Sequence, residues 1–406
     1  MRIQEGLTLI LAKMPEVGKW QRAFFQELFR VVFAIRGRVN FVNLSRYSLL
    51  GEQTFRRQFG KFFDWLGFNL LILSIVGLRV NREVIGALDA SYLPKSGKHT
   101  YGLDRFWSGV AGRAKQGLEL SLLALIDPSS GRAWSLYAEQ TPSGLATNEA
   151  DSSSLSRTDY YLMHWRSCLS RIKEVVYFVA DGFYAKAKVF EAFAQEGKHL
   201  ITKLRADANL RYLYQGKKSK GRGRRKQYDG KVNPQDLSRW HDLGPDFKYP
   251  YIHLYHQRLN SPSLKRNLRV VLLINNRTQK YILLACSEVD LDPRTIVLFY
   301  QLRFQIEFLF RDAKQFTRLA HSQAREANKL HFHFNMSLAA INLVRINQRQ
   351  QESDACLNNF IRRAYNEAFL QWIFSQLNPE ADFDLNPDTF ETILQYGTMT
   401  KKSSQS

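Results

Sequence analysis

The sequence predicts a mixed α/β (α+β) protein with helical segments at both ends of the chain. Two short apolar runs, residues 84–88 and 175–180, have the length and composition of buried strands, and an aspartate follows each of them. Further strand patterns follow each run, and segments with helical spacing alternate with the later ones. The 406 residues can hold two or three domains, and 45% hydrophobic residues can form a sizeable core.

The charge of the chain indicates a polyanionic partner. Lys and Arg number 58 against 37 Asp and Glu, which gives a net charge of +21. Nucleic acid is the first candidate and an anionic membrane surface is the second, with general basicity as the plain alternative.

The cysteines and the apolar runs indicate a cytosolic protein that does not enter the membrane. Three widely spaced cysteines, with no Cys-x-x-Cys pair, predict neither a disulfide framework nor a zinc finger. The most hydrophobic run, residues 66–78, is shorter than the roughly 20 residues of a membrane span, so we expect it to be buried. No targeting segment is recognisable.

Residues 1–78 form a predicted helical N-terminal domain with a possible DNA-binding motif. Between residues 43 and 66, a short helix, a break at 48–51 and a second helix from Glu52 form a plausible helix-turn-helix. Arg56 and Arg57 are candidate DNA contacts on the second helix. The side chains expected to pack inward are Phe55, Phe59, Phe62 and Phe63. An ordinary helical hairpin is the alternative.

The middle of the chain predicts five strands and two helices. The first strand, residues 84–89, ends in Asp89 and leads into a polar connection. The later elements are strands at 117–126 and 132–139, a Ser-rich loop at 141–157, a helix at 160–173, a strand at 175–180 that ends at Asp181, a helix at 184–196 and a strand at 199–204. This is the order of a ribonuclease H-like (RNase H-like) core, in which the first and fourth strands are neighbours. Asp89 and Asp181 would then lie side by side, although either alone could be a cap or turn residue.

Residues 207–294 interrupt this core with a predicted mainly β insertion. Alternating patterns predict strands at 251–257, 268–275 and 281–286. The insertion opens with a basic, glycine-rich run that is either a solvated loop or a set of phosphate contacts. The candidate DNA-binding residues in this run are Lys217, Lys218, Arg222, Arg224 and Arg225.

Residues 298–316 have the pattern of one amphipathic helix, with Pro293 just upstream where helices begin. At 100° per residue, four polar side chains fall within roughly 60° of one another. They are Tyr300, Arg303, Glu307 and Lys314, while Leu298, Leu302, Leu309, Ala313 and Phe316 collect on the far side. Taken alone, this face could be a solvated surface with an Arg303–Glu307 ion pair.

The C-terminal region, residues 346–406, is predicted to be helical with a disordered tail at 399–406. Residues 357–377 carry an aromatic face that serves either core packing or dimerisation. Upstream, His331 and His333 stand two apart on a predicted helix, so they do not face one metal site. We expect a buried or capping role for them.

The four polar residues of the 298–316 helix carry a resemblance to a known family. Tyr, two residues, Arg, three residues, Glu, six residues and Lys resembles the Tyr-Arg-Glu-Lys signature of DDE transposases of bacterial insertion sequences, the insertion-sequence family four type. The resemblance spans roughly residues 40–345. It implies an RNase H-like core in two parts, 79–206 and 295–345, with Asp89, Asp181 and Glu307 as catalytic residues and metal ligands. Tyr300, Arg303 and Lys314 would contact DNA near the transposon end or support Glu307.

The implied reaction is DNA strand cleavage and strand transfer at inverted-repeat ends. Two divalent ions can neutralise the attacking and leaving oxygens of such an in-line displacement, so we expect two Mg²⁺, with Mn²⁺ as a substitute. The implied partners are double-stranded DNA and a second copy in a synaptic homodimer, in the bacterial cytoplasm at the nucleoid. The alternatives are an inactive or domesticated end-binding protein and an RNase H-like repair nuclease.

Overall fold

The computed structural model describes residues 3–146, 155–216, 225–350 and 357–376, together with residues 390, 393 and 394. Its long helices are α1 (Ile3–Ala12), α2 (Lys19–Ala34), α3 (Phe41–Arg46), α4 (Glu52–Phe59), α5 (Trp65–Ile75), α6 (Arg157–Leu169), α7 (Ala187–Gln195), α8 (Pro293–Leu302), α9 (Phe304–Phe316), α10 (Ala327–Gln350) and α11 (Leu357–Gln376). The predicted tail at 399–406 and residues 147–154 of the predicted Ser-rich loop lie outside the described residues.

The strands form one mixed sheet. They are β1 (Ile85–Pro94), β2 (Asp104–Ser108), β3 (Arg113–Asp127), β4 (Arg132–Gln140), β5 (Tyr177–Ala180), β6 (His199–Leu204), β7 (Arg211–Leu213), β8 (Tyr228–Lys231), β9 (His241–Pro245), β10 (Ile252–Ser261), β11 (Arg266–Asn275) and β12 (Tyr281–Cys286). Their order is β2-β3-β1-β5-β6-β12-β11-β10-β7-β8, with β4 paired to β3 and β9 to β10. β1, β5 and β6 run parallel, and their other neighbours run antiparallel.

Two sequence expectations for the strands need correction. β1 does not end at Asp89 but continues to Pro94, because its second half pairs with the start of β3. The expected polar connection contains β2, an edge strand on β3. The segment 207–294 contains strands β7 to β12, and β12 pairs with β6, Leu283 opposite Leu204, so these strands continue the central sheet.

The N-terminal helices share one core with α10. Phe332 of α10 stacks against Phe25 and lies against Phe59 and Trp65, at centroid distances of 4.4–5.8 Å. The apolar run at 66–78 forms α5, whose buried residues include Ile72 and Leu73. None of the described helices is long and apolar enough to span a membrane.

Arg318 joins the end of α9 to the end of α2. Its backbone is left-handed, with φ +61°, which is unusual for a residue with a side chain. Its guanidinium donates hydrogen bonds to the carbonyl oxygens of Val32, Ile35 and Gly37. The carbonyl of Val32, in the last turn of α2, thereby gains a partner that the helix itself does not supply.

Candidate active site

The register of two parallel strands sets Asp89 beside Asp181. Leu88 of β1 lies opposite Ala180 of β5, and the two aspartates are the next residues along the two strands. Asp181 ends β5, and its Oδ1 accepts a hydrogen bond from the backbone N–H of Phe183 at 3.0 Å. The Asp181 carbonyl accepts a second bond from Thr202 Oγ1 at 2.7 Å, which fixes the backbone here.

Gly86 allows β1 and β5 to approach each other at this point. It pairs with Phe178, and a Cβ at residue 86 would lie 2.2 Å from the nearest atom of the Phe178 ring. A contact that short requires the Phe178 ring or one of the two strands to shift. The absence of a side chain at residue 86 is therefore a condition for the alignment of Asp89 with Asp181, three residues further on.

Helix α9 lies across the face of the sheet that carries Asp89. Side chains alternate along a strand, so Ala87, Asp89 and Ser91 share one face. Ala87 belongs to the same buried cluster as Ile306 and Leu309 of α9. Lys314, two turns beyond Glu307, donates to Ser91 Oγ at 2.7 Å and to the Tyr92 carbonyl at 3.0 Å. These bonds attach α9 to β1 on the side where Glu307 faces the aspartates.

The three acids and Arg303 form one electrostatic cluster. Burial raises the pKa of Asp89 to about 7, the Asp181 and Glu307 carboxylates add to the increase, and the positive charge of Arg303 opposes it. Burial also raises the pKa of Asp181, against the Phe183 hydrogen bond and the charge of Arg303. Clustered carboxylates raise one another's pKa values in this way when no cation compensates them fully.

Arg303 is the cation inside this cluster. Only 6% of its surface is exposed, and its Nη2 donates to Glu307 Oε1 at 2.8 Å. Its guanidinium lies 4.7 Å from the centroid of the Phe304 ring. Its buried Nε has no hydrogen-bond partner among the described residues. The predicted Arg303–Glu307 pair therefore exists, but Arg303 is buried and not part of a solvated face.

The expected single helix at 298–316 is two helices. α8 ends at Leu302, Arg303 is a turn residue, and α9 begins at Phe304, so Tyr300 belongs to a different helix from Glu307. Pro293 starts α8 as the sequence predicts, behind an Asp292 cap. Leu298, expected in the core, is 48% exposed.

The acids suit a hard divalent cation in chemistry, but they do not enclose one in this conformation. Carboxylate oxygens are the ligands that Mg²⁺ prefers, and Asp89 and Asp181 are adjacent. Within the part of the chain that the structure describes, however, no three His, Cys, Asp or Glu side chains are close enough to hold one ion. In this conformation Glu307 Oε1 accepts a hydrogen bond from Arg303.

The other predicted DNA contacts lie in several places. Arg56 and Arg57 are exposed on α4, where Arg56 also forms an ion pair with Glu52. Phe62, expected to pack inward, is instead 85% exposed, whereas Phe55, Phe59 and Phe63 are buried. Arg225 is exposed. The remaining members of the basic run, Lys217, Lys218, Arg222 and Arg224, lie outside the described residues.

Two residues near the acids were not anticipated from the sequence. Lys186, five residues after Asp181, donates to Thr158 Oγ1 at 2.8 Å, and its charge lowers the pKa of Asp181. Tyr184 is 2% exposed, and the charges of Asp89 and Asp181 help to raise its pKa. A basic residue one turn after a strand-ending aspartate was the available signal for Lys186. Nothing local marks Tyr184.

Two models of known families match parts of the chain that carry the candidate site residues. A family model described as a transposase DDE domain matches residues 157–343, which include Asp181 and Glu307. A second, described as a DDE superfamily endonuclease, matches residues 63–248, which include Asp89 and Asp181. Each match covers less than half of the chain, and both support a DDE transposase within the endonuclease superfamily. A search of curated proteins found no match.

Proposed function

We propose that this protein is an insertion-sequence transposase that cuts and transfers DNA strands at the inverted-repeat ends of its element. The observation that carries the proposal is the β1–β5 register, which sets Asp89 beside Asp181 on the face that α9 covers with Glu307. The mixed sheet, with three parallel central strands and helices over it, is consistent with an RNase H-like core.

Asp89 and Asp181 are the proposed ligands of Mg²⁺ or Mn²⁺, and Glu307 is the proposed third ligand. Two such ions, when bound, neutralise charge on the attacking and leaving oxygens at phosphorus. Side chains of the protein have the other two proposed roles. The hydrogen bonds of Lys314 to β1 hold α9 in place. Arg303 neutralises the acids until its guanidinium binds a DNA phosphate instead.

The proposed division of labour follows the sequence. Residues 1–78 bind the element's end, with Arg56 and Arg57 of α4 as contacts. Residues 79–206 and 295–345 form the catalytic core, residues 207–294 extend it, and residues 346–406 complete the chain. The proposed substrate is duplex DNA, bound by a homodimer in the bacterial cytoplasm, and the high positive charge of the chain favours that substrate.

Strand cleavage is the experiment that tests this function. The substrate is DNA that carries the inverted repeats flanking the gene, incubated with Mg²⁺. Wild type, Asp181→Ala and Asp207→Ala are compared, because Asp207 is an exposed aspartate, 74% accessible, in a surface ion pair with Arg205. We expect cleavage at the repeat ends by wild type and Asp207→Ala, and loss of at least about a hundredfold in Asp181→Ala.

The other outcomes separate the alternatives. Specific binding of the ends by wild type without cleavage would identify an inactive or domesticated end-binding protein. Cleavage without preference for the ends would favour a repair nuclease. Equal cleavage by Asp181→Ala and wild type would remove Asp181 from the site.

A further inference from the structure

The β2–β3 hairpin extends beyond the strands that carry the candidate site. β3 pairs with β1 only as far as Gly117, opposite Pro94. Residues 105–116 therefore pair with one another, Arg105 opposite Gln116 and Ser108 opposite Arg113, and β2 is an edge strand. A turn at residues 109–112 joins the two strands.

The tip of this hairpin is apolar and its flanks are basic. Val110 is fully exposed and Trp107 is 62% exposed. Arg105, Arg113 and Lys115 are also exposed, and no acidic residue occurs from 105 to 118. The hairpin thus combines an exposed tryptophan and valine with three cations on one short, acid-free segment.

The base of the hairpin is held firmly. Phe106 is fully buried, and the Arg157 guanidinium lies 4.7 Å from its ring centroid. Arg157 also donates to the Arg105 carbonyl at 2.8 Å, and Tyr92 Oη donates to the Gln116 carbonyl at 2.8 Å. The hairpin thus presents its outer surface from a fixed position, which reduces the entropy cost of binding.

We propose that this hairpin is a second DNA contact, in which Trp107 and Val110 enter the minor groove and Arg105, Arg113 and Lys115 bind the flanking phosphates. Apolar side chains that wedge between base steps, with cations beside them, are a known chemistry of minor-groove binding. Duplex DNA also complements a segment that has three positive charges and no negative one. The proposal rests on the proposed transposase function.

One duplex can reach both the acids and the hairpin. Asp89 lies opposite Leu122, and Arg113 is nine residues earlier on β3, 122 − 113 = 9. At about 3.3 Å per residue, this separates the hairpin from the acids by at most about 30 Å. One helical turn of B-DNA is about 34–36 Å, so the hairpin would contact the duplex within one turn of the cut.

The test measures the affinity for a repeat-end duplex without divalent ions. Fluorescence anisotropy reports the binding at a series of salt concentrations. Trp107→Ala is compared with Trp20→Ala, because Trp20 is 88% exposed but lies on α2. We expect Trp107→Ala to bind about 5- to 100-fold more weakly and Trp20→Ala to bind like wild type. Loss of Arg113 and Lys115 together should reduce the salt slope by about 1.8, since each phosphate contact contributes about 0.9.

A second measurement addresses the wedge directly. Energy transfer between dyes at the two ends of the duplex should report a bend in the wild-type complex that is reduced by Trp107→Ala. Both variants change exposed side chains, and circular dichroism would confirm that they fold.

Three results would overturn the proposal. Equal affinity, slope and bend in the hairpin variants and wild type would show that DNA does not use this surface. Loss of self-association with unchanged DNA affinity would make the hairpin a contact between copies. Wild type that binds no duplex DNA would end this proposal and the proposed function together, whereas the first two results would leave cleavage at the ends intact.

Discussion

Arg303 is a buried guanidinium that faces three carboxylates. A charge in such a place is stabilised only when it is paired, and here Glu307 supplies the hydrogen bond while Asp89 and Asp181 supply further negative potential. The guanidinium of Arg303 thus lies in the negative potential of the three carboxylates, where a divalent ion would also be held. We therefore expect Arg303 and a divalent ion to compete for the same carboxylates.

This competition predicts the effect of Arg303→Met on metal binding. Without the guanidinium, Glu307 is released and the acids lack a cation, so the DNA-free protein should bind Mn²⁺ about tenfold more tightly than wild type. Titration calorimetry measures the affinity. The control is Arg311→Met, because Arg311 is on the same helix with 61% of its side chain exposed. Unchanged or weaker Mn²⁺ binding in Arg303→Met would refute the competition.

His333 predicts a loss of stability in acid. It is 1% exposed, its Nε2 lies 3.2 Å from the Arg318 carbonyl oxygen, and burial lowers its pKa to about 4. Its pKa in the unfolded chain is near 6.5, so the unfolded state binds the proton first. Its contribution to stability is complete above pH 6.5 and is lost as the pH falls towards 4, by up to about 3 kcal/mol.

Urea unfolding at several pH values checks this expectation. The free energy of unfolding of His333→Gln should depend less on pH between 7 and 4 than that of wild type. His99→Gln, at an exposed position, should retain the wild-type dependence. The same pH dependence in all three proteins would contradict the assignment.

At the scale of elements, spacing in the sequence predicted which side chains share a helix face. It predicted the ends of helices and strands less well. Glu307 and Lys314 are seven residues apart, which places them on one side of α9, and this survives the break at Arg303. The break itself and the exposure of Leu298 depend on how α8 and α9 pack, which local pattern does not record. The extension of β1 past Asp89 depends on pairing with β3, a distant partner.

Gly86→Ala tests the closeness of β1 and β5. The added methyl group meets the Phe178 ring, so the strands must separate and Asp89 must shift relative to Asp181. We expect a loss of about 1–3 kcal/mol in unfolding free energy and weaker Mn²⁺ binding. The control is Gly18→Ala, where a Cβ would have no atom within 4 Å. Wild-type stability and metal affinity in Gly86→Ala would show that the close approach is not needed.

At the scale of the whole molecule, the sequence predicted separate regions that the structure joins. The boundary at 207–294 came from composition and strand patterns, but the pairing of Leu283 with Leu204 links residues 79 apart, 283 − 204 = 79. Local pattern cannot encode that pairing. In the same way, the sequence predicted a helix from Glu52 and a buried run at 66–78 but could not show that α10 completes their core through Phe332.

Phe332→Ala should destabilise the whole chain and not only α10. The ring fills the space between Phe25, Phe59 and Trp65, so its loss should cost about 3–5 kcal/mol. Phe62→Ala, at an exposed position between Phe59 and Trp65 in the sequence, should cost less than about 0.5 kcal/mol. Guanidinium unfolding followed by both fluorescence and circular dichroism measures the two values. Separate transitions by the two probes would mean that the N-terminal helices unfold independently.

Arg318 connects the candidate active site to the N-terminal helices. Its backbone lies two residues beyond the end of α9. Its guanidinium donates to the Val32 carbonyl in the last turn of α2 and to the Ile35 and Gly37 carbonyls between α2 and α3. If Glu307 is released and α9 moves, we expect the Arg318 contacts to pass this movement to α3 and α4. Binding of a DNA end by α3 and α4 would affect α9 through the same contacts. With Arg318→Gln we expect end DNA to lose its influence on Mn²⁺ affinity while each ligand still binds. If end DNA still changes the Mn²⁺ affinity of Arg318→Gln as it does in wild type, the Arg318 contacts do not couple the two sites.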